Sequence, residues 1–496
     1  MTERTRCVVV AAKSVVTATV VTLLSIDATA SAPDSTRMHR LRNVDVTAAA
    51  REKSLASTAP MYDLGNEEFT RLGITGISDA LNRLPGVNLR DYGGAGGLKT
   101  VSVRGMGAAH TAVIYDGVTL SECQSGEIDL SRYSLDNVSA LTMVIGDNDD
   151  IFIPARAAAS AASLSISTFN ASALTDSLDL TAQLKVGSFG LVNPFFRISK
   201  RVSSRLALSA TGDYTYAEND YPFTLYNGDY TSKERRTNSR MNSGHGELSA
   251  HWQLAPRSVL NAKIYYYDND RQLPGPVIYY NNLSNERLRD RNLFGQLNFR
   301  SVLSRKLSVS GLAKFNWASS LYHDENGKYP GGVLDQNYWQ REAYASACLL
   351  YVPVDGLAFD YSADYAFNNL SSNLPTETRP YRNSVLQSLT ARYRTGRLSV
   401  TGRVIASIYR NGAKDGEAAL DRSRLSPSVS VSVKPFDNVG LRLRASYKSI
   451  FRMPTFNESY FFHYGSTTLK PENTDQLNIG LTWEAPSLTW LPSATL

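Results

Sequence analysis

The chain has 496 residues, of which 20% are charged and 10% aromatic, with 27 Tyr against 17 Phe. A mean hydropathy of −0.26 excludes a disordered tail and a bundle of membrane helices, and no internal stretch supplies the roughly 20 apolar residues that a spanning helix needs. The 52 Lys+Arg against 46 Asp+Glu leave a net charge of +6, but the basic residues are scattered through alternating segments, so no nucleic-acid partner is expected.

In chain order, Arg4, Arg6 and Lys13 precede the apolar run Val15 to Ile26, which ends near Ala30-Ser31-Ala32. This is the pattern of a secretory signal peptide over residues 1–32; its β-branched run and small-residue ending disfavour the alternative of a buried helix. Cys7, Cys123 and Cys348 are too few and too far apart for a disulfide framework or a zinc site. Val44-Asp45-Val46-Thr47-Ala48 is then a short extended, β-branched piece before an Ala-rich stretch.

Residues from about 40 to 170 mix helical and strand patterns, and from about 176 onward the text is strands and polar loops. Leu248, Ala250, Trp252 and Leu254 alternate with Glu247, Ser249, His251 and Gln253, and the same period of two recurs over Val439–Lys448 and Leu477–Trp483. Such runs, at about 10 to 14 residues, exceed the usual soluble strand and match a tilted membrane strand. Aromatic residues gather at strand ends, as at Tyr265-Tyr266-Tyr267, Tyr279-Tyr280 and Tyr460-Phe461-Phe462, as interfacial girdles require. Backbone polar groups in lipid must pair internally, so such a sheet belongs to a barrel, and an exported chain of this kind points to an outer membrane. We count about 14 strands, starting near 178, 192, 205, 245, 258, 291, 305, 338, 356, 384, 396, 424, 438 and 475. Long loops (218–243, 269–290, 320–335, 451–473) alternate with short turns such as Val354-Asp355-Gly356.

Residues 73–145 contain Ile77-Ser78-Asp79-Ala80-Leu81, Leu84-Pro85-Gly86-Val87, Asp91-Tyr92-Gly93-Gly94-Ala95-Gly96-Gly97, Val101-Ser102-Val103-Arg104-Gly105 and Tyr115-Asp116-Gly117-Val118. In order and spacing they closely resemble the plug domain of TonB-dependent outer-membrane receptors. Phe451-Arg452-Met453-Pro454-Thr455-Phe456-Asn457-Glu458, followed by Leu469-Lys470-Pro471-Glu472, resembles that family's barrel motif. The resemblance implies a mainly β fold, an N-terminal α/β plug followed by an antiparallel transmembrane β-barrel. Residues 33–60 would be the TonB-box region and linker, 61–170 the plug, and 176–496 a partial barrel. Val44, Asp45, Val46, Thr47 and Ala48 resemble the TonB box, which would add a strand to a TonB sheet and be pulled by TonB and its inner-membrane energising complex; a disordered linker is the bland reading, and Asp45 departs from the usual apolar centre.

By the same resemblance, Tyr92, Gly93, Gly94, Ala95 and Gly96 would form one apical loop facing ligand, and Gln124, Ser125 and Gly126, within Ser121–Asp129, a second. The run Gly93–Thr100 is not a phosphate loop, because Leu98 breaks the Gly-Lys-Thr order. Arg104 and Asp116 are charges in apolar strands and are expected in a network between plug and barrel wall, since buried charge must be paired. Asp147, Asp149 and Asp150 stand where relatives carry a Gly-Pro; they suit calcium or a solvated loop, and both readings stay open. No Ser-His-Asp grouping or close carboxylate pair points to an enzyme.

Receptors of this size resemble importers of corrinoids (cobalamin) and iron chelates, with a surface lipoprotein as a further conceivable partner and outer-membrane lipid as the solvent. A haem or ferric siderophore receptor is the second reading, with His463 as the haem ligand, although a lone loop histidine beside Phe461 and Phe462 is often incidental. A non-transporting barrel, adhesin or signal receptor, is the alternative of another class, which the plug and the lack of an added periplasmic domain disfavour. Plugged barrels use about 22 strands, so about 14 implies an incomplete barrel. Together with the absence of a terminal aromatic residue after Pro486 and Pro492, this leads to the expectation of a truncated or frameshifted product, a natural length of about 680 and a sheet left open between its first and last strands.

Overall fold

The computed structural model describes residues 57–92, 97–169, 177–277, 284–374, 378–436, 439–484 and 493–495. The signal-peptide and TonB-box segments and Gly93–Gly96 lie outside them.

The first layer is a mixed sheet of β1 (Met61–Gly65), β4 (Thr111–Tyr115), β5 (Val118–Thr119), β6 (Val138–Ile145) and β7 (Ala162–Thr168), in the order β1-β6-β7-β4-β5. Only β4 and β7 run parallel. A hairpin of β2 (Val87–Asp91) and β3 (Lys99–Val103) and short helices α1 (Asn66–Arg71), α2 (Ile77–Asn82) and α3 (Ala155–Ala158) complete this body. Its core is apolar in the ordinary sense: Leu81, Met143 and Leu164 are fully buried. Two sharp reversals use the Arg104-Gly105 and Asp116-Gly117 pairs, all four at positive φ, the conformation that two-residue hairpin turns demand.

Around it curves one antiparallel sheet of β8 (Leu178–Gly187), β9 (Leu191–Arg201), β10 (Leu206–Ala217), β13 (Met241–Ala255), β14 (Ser258–Leu273), β15 (Glu286–Val302), β16 (Leu307–Glu325), β17 (Val333–Val354), β18 (Leu357–Ser372), β19 (Pro380–Arg394), β20 (Leu398–Ala413), β21 (Arg422–Val433), β22 (Gly440–Arg452), β23 (Glu472–Glu484) and β24 (Ser493–Thr495). A separate hairpin, β11 (Pro222–Asn227) with β12 (Tyr230–Arg235), rises from the β10–β13 connection, and α4 (Phe456–Tyr460) from the β22–β23 connection. The fourteen expected strands occur where the period of two places them, none starting more than five residues from its expected position; β11, β12 and β24 were not expected. The long loops are partly strand: β14 and β15 stay paired out to Leu273 and Glu286, inside the segment expected as a 269–290 loop. The sheet order ends on β8 and β24, and among the described residues no pairing joins those two edges.

The outward face carries Leu248, Ile264, Leu297 and Phe315, each about half exposed, while the inward face buries Glu247, Lys263, Lys314, Glu342 and Arg403. A soluble protein would pay heavily for this inversion; lipid outside and a polar plug inside reverse the cost.

Candidate functional site

Three buried ion-pair clusters fix the plug to the wall. In the first, Lys263 Nζ on β14 lies 2.6 Å from both Asp116 of the plug and Glu247 on β13, and donates to Thr168 Oγ1 at 3.0 Å. Glu247 also accepts from Asn137 at 3.1 Å and from the Tyr115 hydroxyl, and contacts His245 at 2.8 Å, whose other ring nitrogen faces Asp213 at 2.6 Å. Burial, with Glu247 and Asp116 beside it, pushes the Tyr115 hydroxyl well above its ordinary pKa. Tyr115, Tyr133 and Tyr265 join Phe294 in an aromatic stack that ends at 4.5 Å between Tyr265 and Phe294.

In the second cluster Arg156 of α3 meets Glu342 on β17 at 2.8 Å, which Lys314 approaches at 3.3 Å and the Ser121 hydroxyl donates to. Burial opposes the charge on Arg156, but Glu342 outweighs it and raises the guanidinium's pKa. The third joins Asp147 to Arg403 on β20, with the Ser428 hydroxyl donating to the carboxylate at 3.0 Å and Lys448 at 3.9 Å.

The sequence-derived residues fall as follows. Asp116 is in the first cluster, and Arg104 donates to Asn478 on β23. Tyr92 is exposed at the end of β2. The loop around Gln124–Gly126 is gathered under the Glu122 carboxylate, which accepts from the backbone amides of Gln124 at 3.0 Å and Gly126 at 2.9 Å. It is clasped to the wall: the amides of Phe456 and Asn457 at the start of α4 donate to the carbonyls of Cys123 (3.0 Å) and Gln124 (2.8 Å), and Gln340 on β17 receives the Cys123 amide at 3.1 Å. Gly126, at φ 81°, could not carry a side chain, since a Cβ would meet Thr455 Cγ2 at 2.7 Å. Ser125 is left as the exposed residue of the three. A second tie runs from His110 of the plug to Glu472 at 2.6 Å; Glu472 is gripped by Arg452, which also pairs with Glu458 at 3.0 Å.

Of the two readings left open for the acidic run, calcium site or solvated loop, the geometry gives calcium no support, because the three carboxylates face separate partners. Asp147 faces Arg403, Asp149 accepts from the Thr58 amide at 2.8 Å, and Asp150 accepts from the Phe152 amide at 3.2 Å. Among the described residues no three His, Cys, Asp or Glu side chains come together as a metal site. His463 is exposed with its ring 3.8 Å from that of Phe462.

Two of the cavities between plug and wall lie at its opposite ends. One of about 240 Å³, at the long-loop end beneath α4, is lined by His110, Cys123, Arg156, Arg382, Tyr409 and Met453. The other, about 500 Å³, lies at the short-turn end between the Asp149–Phe152 segment and Arg300, Arg392 and Arg394; His463 lines neither. Ser57–Ala59 enters beside the second, where Thr58 Oγ1 donates to Ser430 at 3.1 Å and the Ala59 carbonyl accepts from Arg444 at 3.4 Å. The wall partners Glu247, Lys263, Glu342 and Arg403 were not singled out in the sequence. Their signal was a charge at an inward register position of an otherwise small or apolar strand, which reads equally well as a residue facing a water-filled lumen.

A plug latched by ion pairs inside an outward-apolar antiparallel sheet defines the class of plugged outer-membrane barrels. Residues 53–158 match the TonB-dependent Receptor Plug Domain and residues 331–494 the TonB-dependent receptor-like β-barrel; the chain belongs to the TonB-dependent receptors. The vitamin B12 transporter BtuB of Vibrio vulnificus (strain YJ016) is 23% identical over 424 residues, covering 84% of this chain and 63% of its own length. The chain therefore spans less than two thirds of that relative. Among solved structures, the FrpB iron transporter of Neisseria meningitidis (F3-3 variant) superposes with TM-score 0.69 at 12% identity, covering 86% of this chain and 71% of that one. Unliganded ferric citrate transporter FecA gives 0.66 at 15% identity (88% and 69%), and copper transporter OprC 0.66 at 15% (82% and 66%). These likenesses concern the fold.

Proposed function

We propose that the protein, in the outer membrane, takes up a scarce, bulky solute by TonB-dependent transport, with a corrinoid as the first substrate. The observation that carries the transport reading is the double attachment of the plug: its upper loop is clasped to α4 and β17, and its first described segment is clasped to β21 and β22 at the short-turn end. A pull from the periplasmic side, delivered through Val44–Ala48 by strand addition to TonB, reaches Thr58 and its bond to Asp149 before any other described contact of the plug. The likeness to a vitamin B12 transporter over 84% of the chain supports the corrinoid. A ferric chelate or haem is the second reading, supported by the iron-transporter neighbours. Residues 1–32 are removed on export.

Titration of the purified protein in detergent with cyanocobalamin, haemin and ferric chelates tests the substrate. Saturable cyanocobalamin binding is expected. Saturable haemin binding that is lost in His463→Ala, without corrinoid binding, would reverse the order. A Val46→Pro peptide spanning residues 40–52 that binds a periplasmic TonB fragment as well as the unsubstituted peptide would remove the strand-addition step.

A further inference from the structure

On the outward face of β14–β17 the register places Tyr266, Leu293, Trp317 and Arg341 in one row, and Asp268, Arg291, Ser319 and Trp339 in the next row toward the long-loop end. Arg289 lies one row further, opposite Asp270. The apolar band therefore ends in an aromatic girdle in which Arg291 and Arg341 are set among Trp317 and Trp339. Asp268 is shared by Arg289 at 2.7 Å and Arg291 at 3.4 Å. One carboxylate thus serves two guanidiniums; Arg291 and Arg289 keep 39% and 38% of their side-chain surface exposed, and Arg341 is exposed. Higher up, Arg287 is matched by Asp270, and His323 by Asp335 and Glu325, so the unbalanced positive charge is confined to the level of the girdle.

A second feature lies on the same face toward the short-turn end. Ala250, Ala262, Gly295 and Ala313 floor an apolar hollow of about 840 Å³ whose sides include Leu248 and Ile264. Gly295 stands four residues from Arg291 on one strand, a separation of about 13 Å.

We propose that this face is a site for a single lipid of the outer leaflet, an acylated glycolipid with a phosphorylated headgroup. Its phosphate is held by Arg291 and Arg341, with Arg289 as a further donor, and its chains descend past Leu293 into the hollow over Gly295. Guanidinium forks suit phosphate oxygens better than a diffuse surface charge would, and the two Trp rings sit where headgroup meets chain. The inference rests on the outer-membrane reading of the sheet and is independent of the transported solute.

The test is native mass spectrometry of the full chain in detergent, with an acylated glucosamine-disaccharide lipid carrying two phosphates and with the same lipid enzymatically dephosphorylated. A one-to-one adduct that survives collisional activation is expected with the phosphorylated lipid, at least ten-fold more abundant than with the dephosphorylated one. It should be lost in Arg291→Gln/Arg341→Gln, kept in Arg410→Gln, which removes an exposed pair with Asp421 on a distant strand, and weakened by Ala262→Phe, which fills the hollow. Circular dichroism confirms that each variant retains its sheet. Equal adducts with the two lipids, or an undiminished adduct in the double variant, would overturn the site; neither outcome bears on solute binding or TonB.

Discussion

In the plug, Leu81, Met143 and Leu164 are fully buried, whereas in the wall Leu248 and Ile264 are more than half exposed and it is Glu247, Lys263 and Glu342 that are buried. One chain thus folds two bodies with opposite polarity, and they meet where the wall's inward charges become the plug's surface partners. The difference shows what binds them: an apolar core inside the plug and, between plug and wall, mainly paired charges with one aromatic stack. Paired charges hold firmly while complete and lose much once a partner is withdrawn. On the transport reading proposed above, contacts of this kind would hold the plug shut and still let a pull release it.

The largest expected effect breaks that seam. Lys263→Met leaves Glu247 and Asp116 facing each other without their shared ammonium and should cost about 3–5 kcal/mol of plug docking, measured by denaturant titration and by protease access to the plug. Adding Glu247→Gln should recover part of the loss, because the uncompensated carboxylate is then removed; a double variant as unstable as the sum of the two singles would show that the groups do not act as a unit.

Truncation inside the plug and on the wall sharpens the polarity contrast. Leu164→Ala should cost about 2–5 kcal/mol through transfer and cavity terms. Leu248→Ala, which loses contacts only with lipid or detergent, should cost less than about 1 kcal/mol. Equal losses would mean that the outward face is packed against protein. Conversely, Ile264→Arg, on the outward face, should lower stability in bilayers by about 2–4 kcal/mol and much less in a polar, loosely packed micelle. Refolding titrations in the two media give the difference.

The wall was legible in the sequence because period-two alternation with a polar inner face is a backbone property that survives without knowledge of partners. The plug was legible through its motifs, as Asp116-Gly117 and Arg104-Gly105 show: each pair is also a local turn signal. What could not be read was which wall residues pair with the plug's charges. Glu247, Lys263 and Asp116 are far apart in the chain, and nothing local distinguishes a lumenal charge in water from one clasped to a plug. The acidic run Asp147–Asp150 stayed open between two readings for the same reason: its oxygens are adjacent in sequence but turn to Arg403, Thr58 and the Phe152 amide in space. Likewise Gln124 and Gly126 were read as part of an apical loop, without the contacts that the Asn457 amide and the Thr455 side chain make to them from more than 300 residues away.

The smallest expected effect concerns that cover. Thr455 caps α4, accepting from the Glu458 amide at 3.2 Å, while the Glu458 carboxylate accepts from the Thr455 amide at 2.7 Å and from Arg452. Burial would raise the Glu458 pKa, but the hydrogen bonds from Arg452 and Thr455 outweigh it and hold the carboxyl below its ordinary value. A carboxyl depressed in the folded state contributes stability that is complete above its unfolded pKa, about 4.3, and is lost as pH falls through the lower, folded value. The side chain is 40% exposed, so solvent screens it and the change should be modest. Hydrogen exchange of the Phe456 and Asn457 amides, which bond to the plug, should show protection that is constant from about pH 7 to 5, after correction for intrinsic rates, and falls a few-fold below about pH 4. Glu472 shares Arg452 and faces His110, so Glu458→Gln should reduce the dependence and Glu458→Gln/Glu472→Gln abolish it. An unchanged profile in the double variant would mean that the plug clasp is independent of this carboxylate pair and rests on the backbone bonds to Cys123 and Gln124 alone.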